Sequence, residues 1–407
     1  MPDLGLRRMI GRDPGEIHRA ATPLELFFDL CFVVAVSFAS VALHHGFLEG
    51  HGLSATGAYL MVFFAIWWAW MNFTWFASAY DTDDWFYRIA TLVQIAGVLV
   101  LAAGVPAASV GDYTVVTIGY LVLRIGFIGQ CIRAAIADPE HRKVVLTYAI
   151  GFGVVQLGWL SRLWMGETAY LVAFFVLVVC ELLVPVIAER FGHLSWHPGH
   201  IAERYGLFTL IVLGESVLAS TNAVVEGVAE AEHAAPLIVL SFAALLIAFG
   251  MWWLYFLKPV YADLNDARTA LVWGYGHYFV FASAAALSAG IELAIDYDLQ
   301  HEAGEHAAVA GDHLVALDGV TTALLTTVPV AVFIGSVWFL MIRPLHARRL
   351  DVTLLSAAVL VLAATFTPAP IHLTAAVMVA LIAVVVTLGV QHDREEAAPG
   401  VTAHPTQ

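Results

Sequence analysis

Thr22–Ser40 reads TPLELFFDLCFVVAVSFAS, an apolar run interrupted by two carboxylates, Glu25 and Asp29. At about 1.5 Å per residue, roughly 20 apolar residues in a helix cross a hydrocarbon core of about 30 Å. Runs of this length recur along the chain. Of its 407 residues 60% are apolar and 13% charged, with a mean hydropathy of +0.82, whereas roughly a quarter of a soluble domain is charged. These values exclude a soluble globule. They predict an all-α polytopic integral membrane protein whose first partner is the lipid bilayer.

About twelve transmembrane helices are expected, over Leu24–Leu43, Thr56–Ala79, Phe86–Val105, Tyr113–Ile136, Val144–Leu163, Ala169–Ala188, Tyr205–Val225, Pro236–Leu257, Thr269–Leu293, Val320–Ile342, Leu354–Thr367 and Leu373–Val390. Basic residues accumulate on the cytoplasmic side of membrane helices. Here they occur at every second connection, as at Arg88, Arg142 with Lys143, Arg190, Arg204, Lys258 with Arg268, and Arg343 with Arg348 and Arg349. With Arg7, Arg8, Arg12 and Arg19 ahead of the first span, both termini are expected in the cytoplasm. The chain then divides into a cytoplasmic segment 1–23, two six-helix halves 24–190 and 200–390, and a disordered tail 391–407. The halves show a faint repeat at an offset of 181 residues, which lays Tyr80 on Tyr261.

Net charge is −15, from 18 basic and 33 acidic residues, and no basic patch is available for nucleic acid. Cys31, Cys131 and Cys180 form no CxxC pair, so neither a disulfide framework nor a thiol zinc site is expected. The histidines of HLSWHPGH (His193, His197, His200) and of HEAGEHAAVAGDH (His301, His306, His313) match no recognised zinc spacing, and no metal is expected. No GxSxG, Walker lysine loop or GxGxxG is present, so neither an enzyme nor a cofactor is predicted.

Chemistry is expected where charge lies at bilayer depth. Thr22-Pro23-Leu24-Glu25 has the pattern of a capping box, with Pro at the first helical position. Asp29 lies one turn deeper, where a carboxylate needs a partner or a proton. The deep charges set against it are Arg124, Glu181 and Glu215, one guanidinium for three acids, expected around a central cavity. Pro185 would bend the helix of Glu181, and Gly214 would let a neighbouring helix approach beside Glu215 and Ser216. His277, Asn72, Gln94 and Gln156 are further polar groups inside spans, each read first as a packing hydrogen bond. Asp81, Asp83 and Asp84 of YDTDD are expected to cap the third span beside Arg88.

TPLELFFDLCFVVAVSFAS, YDTDDWFYRIATLVQIAG and HIAERYGLFTLIVLGESVLAS together resemble the bacterial low temperature requirement protein A (LtrA) family. The resemblance spans nearly the whole chain. It implies a multi-pass protein of the bacterial inner membrane, linked by name to growth in the cold. The residues that carry it are Glu25, Phe28 and Asp29, then Asp81, Asp83 and Arg88, then His200, Glu203, Arg204, Gly214, Glu215 and Ser216; the family supplies no role for them. A fainter similarity links Phe27-Phe28-Asp29 to the Phe-Ser-Asp motif of a class of potassium channels with six-span repeats, but Phe28 replaces the Ser and no matching Asp occurs in the second half. The expected function is a secondary transporter coupled to protons or cations, moving an unidentified small solute, with a homo-oligomer left open. Its alternatives are a cation channel and a non-transporting sensor of membrane stress.

Overall fold

A computed structural model describes residues 5–17, 19–229, 234–258, 264, 266–303 and 317–397. Among them there are twelve α-helices and no strand. The helices are α1 Pro23–Leu48, α2 Gly52–Tyr80, α3 Trp85–Ser109, α4 Thr114–Ala137, α5 Arg142–Arg162, α6 Glu167–Ala188, α7 Pro198–Ala229, α8 Ala234–Tyr255, α9 Ala267–Ala303, α10 Gly319–Val337, α11 Arg348–Ala364 and α12 Pro370–Ala397. One falls on each expected span, and ten apolar stretches are long enough to cross a membrane. The other two helices are α7, which carries His200, Glu203, Arg204 and Glu215, and α11, which has 17 residues.

Local chemistry sets the helix ends. Thr22 caps α1 in a complete capping box: the Glu25 amide donates to Thr22 Oγ1 at 3.3 Å, and the Thr22 amide donates to Glu25 Oε2 at 2.7 Å. Asp84 caps α3 by accepting the Tyr87 amide at 2.9 Å, while Asp83, in the left-handed region at φ 43°, takes both Nε and Nη2 of Arg88. Small residues let α3 and α4 touch. A Cβ added at Gly97 would meet the Leu123 amide nitrogen at 2.5 Å. Beside that seam Gln94 donates to Gln130 Oε1 at 2.9 Å, and Gln130 to Thr91 Oγ1 at 3.0 Å.

The chain forms two compact units, Met1–Val212 with Val260–Gly274, and Leu213–Pro259 with Tyr275–Gln407. The first unit takes in the start of α7. Within it α1 lies against α2 and α3, and α3 to α6 pack each against the next. Trp67, Trp68, Trp70, Phe63 and Phe73 make α2 its most deeply buried helix. In the second unit α8 lies against α12 and α10 against α11. Tyr261 of the expected repeat, and His306 and His313 of the second histidine stretch, lie outside the described residues.

The N-terminal segment packs across the helix ends. Met9 is fully buried, the Arg12 amide donates to the Ala79 carbonyl at 2.9 Å, and Gly11 donates to Asp138 Oδ2 at 3.2 Å. Asp84 is gripped by Arg133 and by the Arg7 amide. A segment read from sequence as a plain cytoplasmic extension is thus built into the first unit.

Candidate functional site

In a helix, residues four apart share a face. Glu25 and Asp29 do so on α1, and His200 and Arg204 do so on α7, with Pro198 opening that helix early enough to bring Arg204 inside it. The two faces meet as a ladder. Arg204 grips Asp29 with two bonds, Nε to Oδ2 at 3.0 Å and Nη2 to Oδ1 at 2.5 Å, and Trp70 Nε1 donates to Asp29 Oδ1 at 2.7 Å. One turn toward the helix starts, His200 Nε2 and Arg204 Nη1 each lie 3.2 Å from Glu25 Oε1, at angles too poor for a hydrogen bond. All four side chains are fully buried.

From Glu25 the charges continue outward through the N-terminal segment. Arg19 Nη2 lies 3.5 Å from Glu25 Oε1 and donates to the Ala77 carbonyl at 2.7 Å. Arg19 and Arg12 both stand 3.9 Å from Asp81, and Arg12 pairs with Glu16 at 2.6 Å. The result is one line of alternating sign, Asp29–Arg204–Glu25–Arg19–Asp81–Arg12–Glu16, running from a buried end to one where the Glu16 side chain is 30% exposed. Four carboxylates face three guanidinium groups. The line is neutral only with one added proton.

Asp81 follows the last residue of α2, outside the apolar stretch, with its side chain 4% exposed. Burial and the neighbouring charge of Glu25 push its carboxyl up to about 6, against the opposing pull of Arg19 and Arg12. At the outer end the bond from Arg12 holds the Glu16 carboxyl below its ordinary value. Arg133 and the Arg7 and Tyr87 amides hold that of Asp84 down despite its burial.

Arg124 does not join Asp29. It pairs with Glu181, Nη2 to Oε2 at 2.8 Å, and also donates to the Tyr120 hydroxyl at 2.7 Å. Glu181 accepts further bonds from Trp68 at 2.8 Å and Trp159 at 3.1 Å, while the Phe152 ring centre stands 4.1 Å from the Arg124 guanidinium carbon. The reason is α2. Trp68 and Trp70 are two positions apart, about 200° around a helix, so their indoles serve acids on opposite sides of it, and the expected single cluster is two clusters with α2 between them.

Glu215, Ser216 and His277 belong to the second unit. Glu215 is half-buried, Ser216 is buried and accepts the Ser220 hydroxyl on its carbonyl, and His277 Nε2 is 3.0 Å from the Tyr255 hydroxyl. Gly214 does not mark a close helix approach, because an added Cβ there would meet nothing within 4 Å among the described residues. Phe28 stacks on Phe73 with ring centroids 3.9 Å apart, and Glu203 is exposed. His197 Nε2 stands 2.8 Å from the Glu16 carbonyl oxygen and His193 is paired with Glu189, so the three histidines of the first stretch face separate partners. Beside α2 lies a cavity of about 50 Å³ whose wall includes Trp68, Asn72, Trp75, Tyr148 and Glu189.

Sequence reasoning missed Arg204, Arg19 and the indoles. In sequence Arg204 reads as part of a cytoplasmic connection, although Pro198 six residues earlier and the His200–Arg204 spacing both point to a helix face. The indoles were counted as apolar, yet a buried Trp N–H seeks an acceptor, and acids at bilayer depth were the acceptors available.

The family model for the bacterial low temperature requirement A protein (LtrA) matches residues 20–390. Among curated proteins, the uncharacterized protein RA0937 of Rhizobium meliloti (strain 1021) is 24% identical over 243 residues, a stretch covering 57% of this chain and 57% of that protein. No solved structure matches.

Proposed function

Because the chain belongs to the LtrA family of multi-pass membrane proteins, we propose that its buried charges serve movement across the bilayer: a proton-coupled secondary transporter of a small solute in the bacterial inner membrane. One observation carries this reading, the alternating line from Glu16 to Asp29 with one carboxylate more than guanidinium groups. A buried line short of one positive charge binds and releases a proton more readily than a balanced one. Its inner end ties α1 to α7, so a proton gained or lost by the line bears on the packing of these two helices. The low-temperature requirement in the family's name fits transport that limits growth when a cold bilayer slows conformational exchange.

The test is the full-length protein in liposomes with a pH-sensitive dye inside and a broad panel of amino acids, organic acids, sugars and cations outside. At least one solute is expected to drive a proton flux that falls about tenfold or more in Glu25→Gln while the variant still folds. Silence across the panel sinks the proposal.

A second reading is favoured by the two-bond grip of Arg204 on Asp29, which is the geometry of a fixed structural tie. Under it the protein moves nothing and the line holds the helix ends together. Removing Asp29 alone takes both hydrogen-bond acceptors from Arg204 and leaves it only Glu25 as a counter-charge, at a cost of about 3–5 kcal/mol, whereas Asp29→Leu with Arg204→Met costs less. The transporter reading expects the double variant to be stable and without flux; the structural reading expects it to keep whatever cellular role the parent has.

A further inference from the structure

Arg162 closes α5 and points its guanidinium inward. The side chain is 3% exposed, yet no carboxylate pairs with it among the described residues. Its Nε donates to the Tyr170 carbonyl at 3.0 Å, and among the described residues Nη2 has no hydrogen-bond partner. Four rings surround the guanidinium carbon, with centres at 3.5 Å for Tyr170, 5.1 Å for Phe174, 5.2 Å for Tyr113 and 5.6 Å for Trp159. Cation–π contacts soften the cost of burying a guanidinium but supply no counter-charge of their own. In the same chain Arg124 and Arg204 both have carboxylate partners, which makes Arg162 the exception to explain.

Arg162 also lines a cavity of about 40 Å³. Phe64 and Val116 on its wall are apolar, and Thr117 and Tyr120 supply hydroxyls. A water needs roughly 10–15 Å³, so the space is larger than one solvent molecule. A buried cation with a free N–H at the edge of an apolar, ring-walled space is a receptor for an anion that carries an apolar body.

We propose that this cavity binds an organic carboxylate, whose oxyanion takes Arg162 Nη2 and whose apolar part lies among the rings. The site is at the opposite end of the first unit from the α1–α7 ladder: α5 begins beside Asp138, which the N-terminal segment contacts through Gly11, and Arg162 lies about 30 Å along the helix. The inference does not rest on the transporter reading and stands if that reading fails.

Benzoate serves as a soluble probe and oleate as a membrane-derived one, added to the purified full-length protein in detergent stripped of lipid. Benzoate is expected to raise the unfolding midpoint of the parent saturably, by about 2 °C or more at high occupancy. Arg162→Met should show no such shift, and its ligand-free midpoint should equal or exceed the parent's, because an uncompensated buried charge has gone. Arg162→Lys keeps the charge without the planar fork and should bind at least tenfold more weakly. If oleate shifts the midpoint and benzoate does not, the carboxylate is supplied by the bilayer and the site stands. Equal benzoate shifts in parent and Arg162→Met, or an absence of shift with both probes, overturn the assignment. So does a lowered ligand-free midpoint in Arg162→Met together with unchanged probe binding, since Arg162 is then only a brace on the Tyr170 carbonyl.

Discussion

Asp81 carries the most direct consequence at the scale of the single residue. Its carboxyl ionises near pH 6 in the folded chain and near pH 4 in an unfolded one, so the native state holds the proton more tightly. Stability from this group therefore falls as pH rises from about 4 to about 6 and stays at its lower level above that. Asp81→Asn removes the titration. The variant is expected to match the parent near pH 4 and to exceed it by roughly 1–3 kcal/mol at pH 7.5, measured by denaturant titration in detergent at both values; a difference independent of pH contradicts the assignment. The same scale shows what sequence could not resolve. Glu25 and Asp29 stood out because acids inside an apolar run are costly. Arg204 was hidden by its place near a helix start, where a basic residue also serves as a topological signal, and its pairing with Asp29 is a contact between residues 175 positions apart.

At the scale of helices the apolar helices were legible, since a run of roughly 20 apolar residues has few alternatives in lipid, and ten of them are long enough to span it. The start of α1 was legible too, because a capping box is a local pattern. What sequence reasoning got wrong was which glycines matter. Gly214 sits beside an acid, which suggests a packing role, yet an added Cβ there meets none of the described residues within 4 Å, whereas an alanine Cβ at Gly119 would press on the Leu101 backbone of α3. Gly119→Ala is expected to cost about 1–3 kcal/mol through that overlap. Gly214→Ala is expected to be neutral or to gain up to about 1 kcal/mol from lower chain entropy. Thermal unfolding of the two single variants separates them, and equal effects would remove the close seam between α3 and α4 from the account. Helix patterns do not reveal such pairs of glycines, because the fit depends on the register of two helices and not on either sequence alone.

For the molecule as a whole, the N-terminal segment is the feature that joins separate elements. Through Arg7, Gly11, Arg12 and Arg19 it reaches Asp84, Asp138, Ala79 and Ala77, so the ends of α2 and α4 and the start of α3 are tied by residues that precede the first helix. Deleting residues 1–17 should raise hydrogen exchange over 77–84 and 134–141 while leaving the middle of α2 protected, and uniform protection throughout would show the strap to be dispensable. The two oxygens of Glu25 add a last point. Oε2 closes the capping box on Thr22, while Oε1 faces Arg19, His200 and Arg204. One carboxylate therefore serves both the helix start and the cluster, so its loss takes away the cap on the Thr22 amide and the acid facing three basic side chains in a single step.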